Sequence, residues 1–270
     1  SFGRDQKLED SSFGWRFINP VMENLYGVDS MGMTAENLAD EFSIAREDQD
    51  LFALWSQQKT KEAHESGFFT DEIIPIPIPQ RKGDVLWFTN DEFPKKQTTI
   101  EKLSGLRPAF RSNGTVTAGN ASGLNDGAAV LLIGSEEGCA LAGKNPLSRI
   151  LSAAVSGVAP RIMGIGPVEA SKKALSRAGL SLDQMDIIEI NEAFSAQVLA
   201  CTRALGLSDK DPRINPNGGA ISLGHPLGMT GARILLTASR QLKATGKRYA
   251  LVTMCIGVGQ GYATVLENAS

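Results

Sequence analysis

Ile187-Ile188-Glu189-Ile190-Asn191-Glu192-Ala193-Phe194 decides the fold of this chain. An apolar run of strand length ends in polar residues and then passes into a helical pattern through about Leu205. Asn191 therefore falls at the carboxyl end of a strand and the amino end of a helix. Its side chain either caps that helix, the common use of asparagine there, or holds a water. Outward from this segment, the order from Leu147 is strand, helix, strand, helix, loop, helix, strand, strand, with Tyr249-Ala250-Leu251-Val252-Thr253-Met254 as the second clear strand. Strands that alternate with helices predict a layered α/β unit.

Upstream the text differs. Thr34 is placed to cap a short helix through Asp40, and Ser43 a longer one from Ala45 to about Ser66, ended by Gly67. Ile73-Ile74-Pro75-Ile76-Pro77-Ile78-Pro79 is excluded from a central strand because proline lacks the ladder donor, and Lys82-Gly83-Asp84 turns into Val85-Leu86-Trp87-Phe88. Residues 1–115 are expected to form a peripheral lobe with edge strands. Asn125 to Ile133 resembles Val258 to Leu266, each a glycine turn entering an apolar strand. This weak repeat, which chance could also produce, suggests two halves that end alike, the first lacking its upstream strands. The start, Ser1-Phe2-Gly3-Arg4, has neither initiator Met nor signal core and is expected to be a cut or processed end.

With 42% hydrophobic residues, 21% charged residues and a net charge of −3, the 270 residues suit a soluble globular protein with no nucleic-acid or membrane surface. Cys139, Cys201 and Cys255 are too few and too scattered for a disulfide framework or a metal site, so a reducing cytoplasm is the expected location.

Three loops carry chemistry. In Gly218-Gly219-Ala220-Ile221-Ser222-Leu223-Gly224-His225-Pro226-Leu227-Gly228-Met229-Thr230-Gly231, one of only two histidines is caged by glycines, which points to acid/base work. Met254-Cys255-Ile256-Gly257-Val258-Gly259-Gln260-Gly261 delivers a cysteine into a turn whose backbone N–H groups, that of Gly257 among them, suit an oxyanion. Asn191 stands on the third. The second histidine, His64, is expected to be solvated on a charged helix.

GNASGLNDGAA (119–129), NEAF (191–194), GGAISLGHPLGMTGAR (218–233) and CIGVGQG (255–261) together resemble the thiolase superfamily over nearly the whole chain. GWRFINP (14–20), VDSM (28–31) and the valine and glutamine of CIGVGQG look most like the bacterial β-ketoadipyl-CoA thiolases of aromatic degradation. The resemblance implies a layered αβαβα thiolase fold, truncated at the N-terminus. Its parts would be a lid lobe over 1–115, the last strand segment of the N-terminal half over 116–146 and the C-terminal half over 147–270.

The same resemblance implies thiolytic cleavage of a 3-oxoacyl-CoA by CoA, or the reverse Claisen condensation, with coenzyme A as co-substrate, no covalently bound cofactor and no metal. His225 would activate the nucleophilic thiol, and a water on Asn191 would complete an oxyanion site. Cys255 would move the α-carbon proton with a thiol pKa within reach of neutrality, and the Gly257 amide would bind the acyl-enzyme oxygen. Ser122, Gly119 and Ala118 match the family's pantetheine strand entry, Met163 and Phe194 would line the thioester channel, and Met31 would be a further substrate- or CoA-binding residue. Ser30 stands where many acetoacetyl-type relatives place a histidine. Arg16 or Arg161 would meet a dicarboxylic acyl group.

One departure matters most: the family's nucleophile lies in a Cys-Gly-Ser-Gly-like turn, and no such turn occurs in this sequence. Neither Cys139 nor Cys201 takes its place, so the isolated chain is expected to be inactive. The full-length protein would be a homodimer or homotetramer. The alternatives are a non-catalytic CoA-binding or assembly module, a ketoacyl-synthase-like condensing enzyme, which would want a histidine where Cys255 stands, and, more distantly, a cysteine hydrolase.

Overall fold

A computed structural model describes residue 15 and residues 17–269. Gly14 and Arg16 lie outside the described residues. The first helices are α1 (Pro20–Tyr26), α2 (Met31–Glu41) and α3 (Arg46–Glu65). The sequence expectation misplaces two caps. Ser30, not Thr34, caps α2 by accepting from the Met33 N–H, and Thr34 is buried within the helix, its hydroxyl turned back on the Met31 carbonyl. Ser43 adopts φ 52°, and α3 begins one residue beyond Ala45 without a side-chain cap. His64 is also less exposed than expected, its ring 4.9 Å from that of Phe69.

The proline-punctuated region forms a two-stranded antiparallel ribbon, β1 (Ile76–Ile78) on β2 (Leu86–Phe88), beside no other strand of the described residues. Helices α4 (Ile100–Ser104) and α5 (Glu136–Ala142) follow; Cys139 lies in α5, half-buried. Residues 124–134, whose composition predicts a strand, adopt none. Val130 and Leu132 are 87% and 86% exposed there. An extended apolar segment is held only where neighbouring strands take its N–H and C=O groups, and no strand of the described residues lies beside this one. Its sequence twin, flanked on both sides, is strand β6.

The remaining elements are β3 (Ser148–Gly157), α6 (Gly166–Ala178), β4 (Ile187–Ile190), α7 (Ser195–Ala204), α8 (Ala220–Leu223), α9 (Thr230–Thr245), β5 (Tyr249–Ile256) and β6 (Gln260–Asn268). They build a sheet of order β3-β6-β5-β4 in which only β4 and β5 run parallel. The period-two alternation of β4 separates two cores. Ile188 and Ile190 face α6, α7 and α3 with Leu175, Val198 and Phe52. Ile187 faces α9 with Ile234, Ala238 and Leu242. All four residues of β4 are buried, Glu189 included, so this strand is covered on both faces and its carboxyl end is sealed except at the loop that follows.

Candidate active site

The Asn191 loop is fixed by the two strands beneath it. Ile190 pairs with Thr253, and the Asn191 N–H donates to the Thr253 carbonyl at 3.0 Å. Asn191 does not cap α7, which starts at Ser195 without a side-chain cap. Its Nδ2 instead lies 3.3 Å from His225 Nε2, and its Oδ1 is buried without a partner among the described residues. A buried amide oxygen left free in this way is an acceptor in need of a donor, which favours the water-holding reading over capping.

Glu192 anchors the same loop to the histidine loop. It accepts from Ser56 Oγ (2.6 Å), Asn215 Nδ2 (2.8 Å) and the Ile221 N–H (3.2 Å). Gly219 packs so tightly on this carboxylate that a Cβ has no room. The glycines of the histidine loop therefore serve close approach, and one serves conformation: Gly224 has φ +93°, the left-handed region. That turn delivers His225, half-buried, onto Asn191.

The imidazole is held at both nitrogens. Its Nδ1 lies 2.7 Å from Thr230 Oγ1, and that hydroxyl spends its own proton on the Pro226 carbonyl at 2.9 Å. Nδ1 is thus the donor, and Nε2 keeps its lone pair toward Asn191. Burial, with the Arg233 cation nearby as the lesser cause, pulls the His225 pKa down to about 4. At neutral pH the group is a neutral base.

Cys255, near the end of β5, reaches the same strand ends. It is buried with Met163 and Ala193, and Phe194 packs against the three. Burial pushes its thiol up to about 12, which corrects the expectation of a near-neutral value: apolar neighbours disfavour the thiolate, and the resting group is S–H, a proton donor. Cys201 is buried inside α7, its thiol donating to the Gly164 carbonyl at 3.1 Å and likewise pushed up by burial. Beyond Cys255, Met31 lies over Gly257, and Val258 takes φ 67°, a costly conformation for a β-branched residue.

The segment 115–125 closes the site from above. Buried Glu36 accepts from the Thr115 and Val116 N–H groups, and Asn120 bonds Asp50 at 2.9 Å. From that platform the Ser122 N–H donates to the Ala193 carbonyl at 2.9 Å, and Ala121 bridges Phe194. Asn125 Oδ1 then accepts the His225 N–H at 3.3 Å, a contact the sequence reading missed. Ala118 and Gly119 line a cavity of about 520 Å³ with Leu103, Leu106, Lys95, Lys96 and Lys102. The sequence reading missed these lysines as well, because no basic run marks them. Arg161, one of the two cations considered for a dicarboxylate, pairs with Glu41 at 3.0 Å. No group of metal ligands is found among the described residues.

Residues 10–137 match the family model for the thiolase N-terminal domain, and residues 144–268 that for the thiolase C-terminal domain. A β-ketoadipyl-CoA thiolase of Acinetobacter baylyi is 55% identical over 99% of this chain and 67% of its own length. A 3-oxoadipyl-CoA/3-oxo-5,6-dehydrosuberyl-CoA thiolase of Escherichia coli is 54% identical over the same shares. Among solved structures, an acetyl-CoA acetyltransferase of Bacillus anthracis superposes with a TM-score of 0.86 at 44% identity, over 97% of this chain and 68% of that one. Human mitochondrial 3-ketoacyl-CoA thiolase in complex with CoA superposes with a TM-score of 0.81 at 46% identity, over 89% and 59%.

Proposed function

This chain belongs to the thiolase family, and on that premise we propose that it carries the acid/base half of a site that cleaves 3-oxoadipyl-CoA with CoA. The observation that carries the reading is the Asn191–His225–Thr230 chain of contacts, which puts the basic lone pair of a neutral imidazole on His225 Nε2, facing the Asn191 amide. His225 takes the proton of the nucleophilic thiol, whose thiolate attacks the 3-oxo carbon. The oxygen of that tetrahedral adduct is met by donors aimed at it, a water on Asn191 Oδ1 and the imidazolium N–H.

Collapse breaks the bond between C2 and C3. The acyl group stays on the nucleophilic sulfur, and the electron pair leaves on C2 of the departing acetyl-CoA. Cys255, an S–H donor at rest, protonates that carbon and becomes a thiolate. The incoming CoA thiol restores the Cys255 proton, and its own thiolate attacks the acyl sulfur ester, with the Gly257 amide on the acyl oxygen; the nucleophilic sulfur leaves as a thiolate and takes back the proton held by His225. The products are acetyl-CoA and an acyl-CoA two carbons shorter. The acyl-carrying thiol belongs to the family's Cys-Gly-Ser-Gly-like turn, absent from these 270 residues, and neither Cys139 in α5 nor buried Cys201 stands in such a turn.

Lys95, Lys96 and Lys102 suit the phosphates of CoA, and Leu103, Leu106, Ala118 and Gly119 suit its pantetheine arm. A cytoplasmic location accords with the fact that no described helix is long and apolar enough to cross a membrane. The division at about residue 147 and a homodimeric or homotetrameric full-length protein complete the reading.

The test is a chimera in which an upstream thiolase segment carrying the family's Cys-Gly-Ser-Gly-like turn precedes this chain. Thiolysis of 3-oxoadipyl-CoA is expected, and His225→Ala is expected to lower kcat about 10³-fold. A folded His225→Ala chimera as active as the unsubstituted one would overturn the proposal.

A further inference from the structure

The face of β4 turned to α9 carries one residue that does not belong in an apolar layer. Three rungs follow one another along that face: Ile187 against Ile234, Ala238 and Leu242; Glu189 against Arg233; and Asn191 against His225, itself bonded to Thr230. The middle rung is an acid and a base in place of hydrocarbon. Glu189 is 1% exposed and its Oε2 lies 3.9 Å from Arg233 Nη1, too far for a hydrogen bond. Neither oxygen of Glu189 accepts a hydrogen bond, and Arg233 Nη1 donates none, among the described residues. Breaking a buried ion pair is costly, yet this one lacks the donor contacts that make an ionised buried carboxylate tolerable.

The groups that face this rung come from four elements. Arg233 lies on α9 and Lys59 on α3, Glu192 follows β4, and Glu72 follows the turn at Phe68–Asp71; Asp91 also faces Arg233. Glu192 is held by three donors, Glu72 accepts from Thr237 Oγ1, and the Lys59 ammonium is turned to the Ile214 carbonyl at 2.6 Å. Burial, opposed by Arg233 and seconded by Glu192 and Glu72, raises the Glu189 pKa to about 8. Arg233 in turn is the charged group that acts on His225.

We propose that Arg233 is a positioning residue for His225. Its guanidinium, packed one rung beneath the Asn191–His225 contact against a Glu189 that stays a neutral acid, adds to burial in disfavouring a proton on the resting imidazole. The layout supplies both requirements. A cation one helical turn from Thr230 disfavours a second cation on the ring, and a carboxylic acid beside it leaves that cation uncancelled while filling the space. The proposal rests on His225 acting as a base, but its test reads protonation and not turnover. A chimera without thiolase activity would sink that reading and leave this one standing.

The chain has two histidines, so imidazole nitrogen resonances followed from pH 8 to pH 3.5 are assigned by His64→Gln alone. His225 is expected to titrate near 4. Arg233→Met should move the midpoint up by about one pH unit, and Arg233→Lys should restore it. Glu189→Gln should leave it in place and remove the carbonyl band of a protonated carboxylic acid from the infrared spectrum at pH 6. An unmoved midpoint in a folded Arg233→Met protein would overturn the proposal. So would a midpoint that falls in Glu189→Gln, since Glu189 would then have been cancelling the cation. If Arg233→Met does not fold, the Glu189→Gln titration and the carboxylic-acid band decide the matter.

Discussion

Thr230 Oγ1 lies 2.7 Å from His225 Nδ1 while it donates to the Pro226 carbonyl, so a hydroxyl on the first turn of α9 fixes which imidazole nitrogen is basic. Thr230→Val removes the acceptor and frees the ring to take its other tautomer. Nitrogen chemical shifts are expected to show both tautomers in Thr230→Val and one in Thr230→Ser. In the chimera kcat should fall about tenfold to a hundredfold with Val and recover with Ser.

Gly224 combines a left-handed backbone with no room for a side chain. A Cβ there would meet Asn125 Oδ1 at 2.5 Å, and φ is +93°. Gly224→Ala is expected to cost about 1–3 kcal/mol in urea unfolding and to displace His225 from Asn191. The displacement is read from the loss of the Asn191–His225 coupling between their nitrogen shifts.

The raised pKa of Glu189 has a stability consequence of definite sign. The unfolded carboxyl loses its proton near 4.5, whereas the folded one keeps it to about 8. Folding therefore takes up a proton between those values, and Glu189 weakens the fold progressively as pH rises through that window. Glu189→Gln removes the liability. Its stability relative to the unsubstituted chain is expected to rise from pH 5 to pH 8 by an amount on the order of a few kcal/mol, measured by urea denaturation at both values.

The cavity beside Ala118 and Gly119 gathers three lysines. Binding of CoA measured by calorimetry should weaken with added salt, and the slope of that dependence should flatten in Lys95→Gln/Lys102→Gln. Dephosphorylated pantetheine should show neither effect.

Much of this architecture is written locally. The run 187–190, apart from Glu189, and the run 249–254 carry apolar residues on both alternating faces, as strands covered by helices do, and the glycines around His225 announce a turn of unusual conformation. What escapes a reading of the sequence depends on partners far away in it. Residues 128–133 have strand composition but no neighbouring strand to bond among the described residues. Asn191 is drawn from a helix cap to a histidine by the parallel pairing of β4 with β5, and Asn125, Thr230 and the Glu189–Arg233 rung acquire meaning only when a loop or α9 is laid across the sheet. The Cys255 thiol is illegible for the same reason, since burial beside Met163, Ala193 and Phe194 raises its pKa by more than the bond from its own backbone lowers it.

The measurement that reaches the central claim most directly is a pre-steady-state assay of the chimera carrying Cys255→Ser, run with a simple acyl-CoA labelled in its acyl group and, separately, with 3-oxoadipyl-CoA. The account predicts that transfer of the labelled acyl group to the protein survives, because His225 and Asn191 suffice for it. It also predicts that carbon–carbon bond formation and cleavage fall by about 10³-fold, because no thiol remains to move the α-carbon proton. Cleavage of 3-oxoadipyl-CoA at the unsubstituted rate with serine at position 255 would contradict it.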